Sequence, residues 1–140
     1  MSELDYHKEL VGRVIAHLVK GGLRRIDIEP GDALSIMVET HGDEEKVVEE
    51  FSDVLRWMRD EQLIRVANIQ AVGVGDIFLG VQLTAKALEA IKQPQESLGG
   101  SSVQAEITEK NGDLGSDIYH KIAEAVGGFV GGFTKSLGSG

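Results

Sequence analysis

Hydrophobic and polar positions follow two different periods along the chain, and the change of period is clearest in the stretch 47–66. Apolar residues recur there at the spacing of one helix face: Val47, Phe51, Val54, Leu55 and Met58. Charged residues occupy the opposite face: Glu49, Glu50, Asp53, Arg56 and Asp60. In 63–66 the apolar period changes from 3.6 toward 2, which is typical of a strand. The pattern predicts an amphipathic helix that leads through a polar corner into a β-hairpin.

A second helical pattern lies near the start of the chain. Ser2 and Asp5 form a sequence similar to a capping box, and apolar residues then repeat at helical spacing between positions 6 and 19. Gly21 and Gly22 follow Lys20, as expected for a helix with a basic last turn and a left-handed residue after it. The sequence therefore predicts a helix that ends near Lys20.

The stretch 23–41 permits two interpretations. Ile26 and Ile28 alternate with charged residues as in a strand, and the Pro-Gly pair in 29–32 is typical of a type II turn. Beyond this turn, three apolar residues alternate as in a second strand: Leu34, Ile36 and Val38. A short helix with Asp32 as its N-cap is the alternative, and its face would carry Leu34, Met37, Val38 and His41. The alternation slightly favours the strand.

Two strands and a helix are predicted after the central helix. The strands occupy 63–70 and 77–84, and the glycine-containing segment 71–76 joins them as a hairpin loop. Alternate residues of the second strand are apolar and would share one face: Ile77, Leu79, Val81 and Leu83. Thr84 suits the N-cap of a helix over 85–92, which Pro94 prevents from continuing.

Composition changes in the last third of the chain. Residues 94–113 are rich in polar residues and glycine, which predicts a flexible linker. From 114 to 140, apolar residues again recur every three or four positions: Leu114, Ile118, Ile122, Val126, Phe129, Phe133 and Leu137. Two overlapping GxxxG pairs lie beside this stripe, and they permit close approach of another backbone. We therefore expect a glycine-rich amphipathic C-terminal helix, separate from a domain formed by residues 1–93.

Two short motifs connect the first 93 residues to a known family. RDEQLIRV at 59–66 is similar to the end of a recognition helix that enters a wing. VQLTAKALEAI at 81–91 is similar to the Leu-Thr-x-Lys-Gly segment that follows a wing, although Ala87 stands in the place of the glycine. Residues 4–93, with the order helix, strand, helix, hairpin and helix, thus resemble the winged-helix superfamily, an α+β fold. The resemblance implies that residues 44–61 enter the major groove of DNA.

The charges disagree with that implied function. The chain has 23 acidic against 14 basic residues and a formal charge of −9, which repels phosphate backbones. The polar face of the central helix is mostly acidic, whereas a helix that reads DNA carries basic and amide side chains. A strand at 34–38 would also remove the second helix of a helix-turn-helix. If nucleic acid is bound, the basic contacts are expected from Arg24, Arg25, Arg56, Arg59 and Arg65.

Few residues suggest catalysis or cofactor binding. Cysteine is absent, which excludes disulfides and thiolate metal sites. The four histidines do not have the spacing of a metal motif: His7, His17, His41 and His120. The sequence predicts no enzyme activity, no cofactor and no metal. It contains neither a secretory leader nor the roughly 18 apolar residues of a membrane span, so we expect a cytoplasmic protein.

The leading functional hypothesis is protein–protein interaction, with the C-terminal helix mediating oligomerisation or partner docking. The residues expected to bind the partner are Ile118, Ile122, Val126, Gly127, Phe129, Val130, Gly131 and Phe133. The same helix could instead dock onto the chain's own domain. Binding to a membrane surface is less favoured, because Lys121 and Lys135 are too few to form a basic face. The alternative function is a DNA-binding winged-helix regulator that dimerises through the tail.

Overall fold

Six α-helices and four strands make up the part of the chain that the computed structural model describes, which comprises residues 3–36, 43–110 and 112–127. In chain order they are α1 Glu3–Lys20, β1 Ile26–Ile28, α2 Pro30–Ile36, α3 Glu44–Asp60, β2 Ile64–Arg65, β3 Asn68–Ala71, β4 Asp76–Leu83, α4 Ala85–Lys92, α5 Val103–Glu109 and α6 Ser116–Gly127. A 3-10 helix, Glu96–Leu98, precedes α5. The predicted α+β class is confirmed.

Strand β4 organises the sheet, because β1, β2 and β3 all pair with it in antiparallel fashion. Three residues of β1, Ile26 to Ile28, lie opposite four of β4, Phe78 to Val81, so β4 carries a bulge. Gly80 adopts a φ of 64° in this bulge, and its amide donates to Asp27 at 2.9 Å. The bulge changes the alternation, so that Phe78, Val81 and Leu83 are buried, whereas Ile77 and Leu79 are only partly buried. The single apolar face predicted for 77–83 is therefore wrong.

The hydrophobic core lies between the sheet and the two long helices. Leu10, Val14 and Leu18 of α1 belong to one buried cluster with residues of α3 and β4, among them Leu55 and Phe78. Asp43 caps α3 by accepting a hydrogen bond from the Lys46 amide at 3.3 Å. The helices predicted to end near Lys20, to lie within 44–61 and to span 85–92 are confirmed.

A residue in the left-handed conformation lies two positions after the last residue of α3. Gln62 has a φ of 63°, and the next amide, Leu63 N, donates to Met58 O at 2.9 Å. This is the arrangement of a Schellman motif, in which glycine is the usual left-handed residue. The polar corner predicted between the helix and the hairpin is thus a helix cap that turns the chain directly into β2.

Residues 30–36 form helix α2, so the predicted strand at 34–38 is wrong over the residues that the structure describes. Pro30 occupies the first helical position, where its fixed φ favours a helix and its missing amide costs no hydrogen bond. Asp32 accepts a hydrogen bond from the amide of Glu29 at 2.8 Å, as the third residue does in a capping box. Ala33 and Ile36 are buried one turn apart. Val38 lies outside the described residues.

The segment 94–113 differs from the flexible linker that the sequence predicts. Ser102 caps α5 by accepting a hydrogen bond from Ala105 N at 3.1 Å. Val103 and Ile107, four residues apart on α5, are each 1% exposed and belong to the same hydrophobic cluster as α1. Two well-placed apolar side chains therefore join this polar segment to the core.

Helix α6 also packs on the domain instead of standing apart. Its most extensive contact is with α1, and it touches α4 and α5 as well. Ile122 and Ala123 are fully buried, and Val126 is 6% exposed. Helix α6 ends at Gly127, and residues 128–140 of the predicted helix lie outside the described part of the chain.

Candidate functional site

The contact between α1 and α6 depends on a glycine in the middle of α1. A Cβ built on Gly12 would lie 2.6 Å from the carbonyl carbon of Tyr119 and 2.7 Å from its Cα. Ordinary carbon contacts are about 3.5–4.0 Å, so only a residue without a side chain permits this approach of two backbones. The close contact that the sequence assigns to the glycines after position 126 is made, within the described residues, by Gly12.

A network of charged and polar side chains lies beside this contact. Arg13 donates from Nε to Glu9 Oε2 at 3.0 Å, and from Nη1 to Asp113 Oδ1 at 3.0 Å and Ile36 O at 3.3 Å. The guanidinium carbon lies 4.4 Å from the centroid of the Tyr119 ring. Arg13 is 8% exposed, so these partners compensate a buried charge and connect α1 to α2 and to the start of α6.

Tyr119 completes the network. Its hydroxyl donates to Asp113 Oδ1 at 3.1 Å and accepts from the Leu114 amide at 3.2 Å. Burial raises the pKa of Tyr119, and the bond to Asp113 raises it further, although the Leu114 amide and Arg13 act in the opposite direction. Ser116 Oγ donates to the second oxygen of Glu9. Because these groups satisfy one another, the arrangement fixes α6 on α1 and holds the tyrosine in its neutral form.

A groove of about 440 Å³ opens next to the network, between α1, α2 and the start of α6. Its polar side chains come from Arg13, His17, Lys20, Asp32, Ser35, Asp113 and Tyr119. The lining carries both signs of charge, and Arg13 donates from Nε and Nη1 to groups within the protein. The groove therefore does not select for a polyanion.

The residues predicted to bind a partner fall into three groups. Ile122 and Val126 are buried against the chain's own helices, and Ile118 is half-buried. Gly127 is exposed at the end of α6. The remaining four, Phe129, Val130, Gly131 and Phe133, lie outside the described residues. The described part of the apolar stripe thus contacts α1 in the manner of the predicted docking onto the chain's own domain.

The five arginines predicted to contact nucleic acid also separate into groups. Arg56 donates to Asp76 at 3.1 Å, and this bond raises its pKa further above the ordinary value. Arg59 pairs with Asp60 at 3.1 Å. The other three, Arg24, Arg25 and Arg65, are exposed and form no ion pair with any residue of 3–36, 43–110 or 112–127.

The unpaired arginines lie on two segments beside β4. Arg65 lies opposite Gln82 across the β2–β4 pair, and the Gln82 side chain donates to the carbonyl of Leu23. This hydrogen bond holds the loop that carries Arg24 and Arg25 beside the strand. The exposed face of α3 has the opposite character, because Glu45, Glu49, Asp53 and Asp60 are all exposed along it. The exposed face of α3 is therefore mostly acidic.

Sequence reasoning missed Gly12, Arg13, Asp113 and Tyr119. Gly12 gave a usable signal, since a glycine inside a strong helical pattern usually has a packing reason. The network gave none, because it joins Arg13 to Asp113, which are 100 positions apart in the chain.

None of the helices in the described residues is both long enough and apolar enough to cross a bilayer. No family model, curated protein or solved structure matches the chain.

Proposed function

We propose that this chain is a non-enzymatic protein–protein interaction domain that associates with a second copy of itself through residues 128–140. The observation that carries the proposal is the anchoring of α6. Its buried stripe, with Ile122 and Ala123, fixes the helix on α1, and α6 ends at the exposed Gly127. The segment that follows contains Phe129, Val130 and Phe133 in a glycine-rich sequence.

Energetics support an apolar contact by this segment. Burying a Phe or Val side chain contributes about 1.5–3 kcal/mol, so the three residues of two tails together offset the loss of about 1 kcal/mol per helical glycine. Charge supports the same choice, because the acidic face of α3 repels nucleic acids. The network at Arg13 serves the folded state, which is consistent with a non-enzymatic role. A cytoplasmic location stays a prediction.

Light scattering tests the proposal on two chains, the full chain and a chain that ends at Gly127. The cut belongs after α6, because ending the chain near residue 95 would remove α5 and α6 and expose the face of α1 that they cover. We expect a concentration-dependent mass above the monomer for the full chain and a monomer for the shorter one. A full-length variant with Phe129→Ser and Phe133→Ser should also be monomeric. Equal monomer masses for the full and the shortened chain would overturn the proposal.

A DNA-binding regulator is the second candidate, and two observations favour it. Helix α2 supplies a helix before α3, as the resemblance to winged-helix proteins requires, and Arg24, Arg25 and Arg65 are exposed without an ion pair among the described residues. Binding should then depend on these arginines and fall steeply with salt.

Two double variants with the same change of charge test this candidate. Arg24→Ala with Arg25→Ala removes unpaired arginines, whereas Arg56→Ala with Arg59→Ala removes paired ones. Duplex binding that is lost only in the first variant would support DNA binding. Binding lost equally in both would show a non-specific charge effect, and no binding by the unmodified chain at low salt would exclude this candidate.

A further inference from the structure

A histidine and two glutamates converge where the first turns of α1 meet α3. Glu3 and His7 are four residues apart on α1, so their side chains share one face of the helix. Glu50 comes from α3. His7 Nε2 lies 3.9 Å from Glu3 Oε2 and 3.7 Å from Glu50 Oε2, and one ligand atom from each side chain lies within 4.8 Å of the others.

The imidazole nitrogen at the centre of this group has no hydrogen bond. His7 Nε2 is buried, and none of the described residues donates to it or accepts from it. Both carboxylate oxygens are farther away than the roughly 2.7–3.2 Å of a hydrogen bond to nitrogen. A buried polar atom without a partner costs free energy. The two carboxylate oxygens, which lie within 4.8 Å of each other, also repel each other. A cation between the three ligand atoms would relieve both costs.

We propose that Glu3, His7 and Glu50 bind a divalent transition-metal ion of the zinc type. Tetrahedral coordination with bonds of about 2.1 Å places two ligand atoms about 3.4 Å apart. The distances of 3.7 and 3.9 Å from His7 Nε2 therefore need to close by about 0.3–0.5 Å, and the two carboxylate oxygens, which lie within 4.8 Å of each other, by at most about 1.4 Å. Glu3 can supply much of this movement, because its side chain is 73% exposed.

The donor set selects the class of metal. A neutral imidazole with two carboxylates suits zinc and its neighbours, whereas calcium and magnesium prefer oxygen ligands alone. Three protein ligands leave a fourth position for water. Since the ligands come from two helices, the ion would join the beginning of α1 to the middle of α3.

The ammonium group of Lys46 would compete with a metal ion for Glu50. Lys46 Nζ lies 3.8 Å from Glu50 Oε1, the oxygen that does not face His7. The ammonium lowers the negative potential at the site, so its removal should strengthen metal binding. This gives the proposal a variant that gains affinity.

The full chain is prepared without a histidine tag, and calorimetric titration of this protein with zinc chloride tests the site. We expect one site per chain, bound at least tenfold more weakly in each of His7→Ala, Glu50→Gln and Glu3→Gln. Glu3 is so exposed that its variant should fold normally. His17→Ala is the matched control, because it removes an exposed histidine of α1 away from the site and should leave the affinity unchanged. Lys46→Gln should bind more tightly than the unmodified chain.

Magnesium chloride provides the comparison of metals, and it should bind at least tenfold more weakly than zinc. Equal binding of the two ions would show attraction to charge alone and would overturn coordination by the imidazole. Zinc affinity that is unchanged in His7→Ala, or the absence of any heat of zinc binding, would also overturn the proposal.

Discussion

Replacing Gly12 by alanine should separate α6 from α1. The new methyl carbon would lie 2.6 Å from the Tyr119 carbonyl carbon, whereas a normal carbon contact needs about 3.5–4.0 Å. The helices must therefore move apart by about 1 Å. Overpacking of a core costs about 1–3 kcal/mol, and the upper end applies here because backbone atoms cannot rotate away. Alanine returns about 1 kcal/mol through its helix propensity. We expect a net loss of about 2 kcal/mol in the free energy of unfolding.

Gly31→Ala is the matched control for this experiment. Gly31 lies in α2, and a Cβ built there meets no atom within 4 Å. The same substitution should therefore leave stability unchanged or raise it by up to about 1 kcal/mol. Urea denaturation followed by circular dichroism measures both changes. Hydrogen exchange should also become faster in α6 of Gly12→Ala than in its α3. If the two variants have the same stability, the backbone contact between α1 and α6 does not exist as described.

Three further predictions concern the helix cap, alkaline pH and α5. Gln62→Gly should raise the free energy of unfolding by about 0.5–1 kcal/mol, because glycine adopts a φ of 63° without strain, whereas Glu61→Gly at a φ of −82° should lower it. The pKa of Tyr119 is raised in the folded state, so the unfolded state releases the tyrosine proton first and stability falls as pH rises above about 10. The variant Tyr6→Phe leaves Tyr119 as the sole tyrosine. Its absorbance titration should place the ionisation of Tyr119 above that of a free tyrosine and close to the unfolding transition. Ile107→Ala should lower the free energy of unfolding, measured by urea denaturation, by about 2–5 kcal/mol. A loss below about 0.5 kcal/mol would instead support the predicted flexible linker over 94–113.

Local patterns predicted the long helices because each has enough turns to repeat its apolar period. They failed where short elements depend on one or two residues. Pro30 and Gly31 fit a turn as well as a helix start. The Asp32 side chain stabilises the helix start by accepting a hydrogen bond from the Glu29 amide. Val103 and Ile107 are the two buried positions of α5, too few to stand out in a polar segment.

Pairings between distant elements could not be read from the sequence. The stripe on α6 predicts an apolar contact correctly, but the same pattern suits a partner protein and the chain's own α1 equally. Gly12 lies in α1, far from the glycines that drew attention in the tail. The group around His7 was missed for a related reason, since Glu50 reaches it from another helix and the histidine has no motif around it in the chain.

The contact between α1 and α6 also has a consequence for biosynthesis. Ribosomes add about 5–20 residues per second, so Tyr119 emerges about 5–20 s after Gly12. During that interval the face of α1 that α6 later covers has no partner from α6. A nascent chain of this protein should therefore be a good client for chaperones that recognise exposed apolar helices, and release should follow synthesis of the last turn of α6.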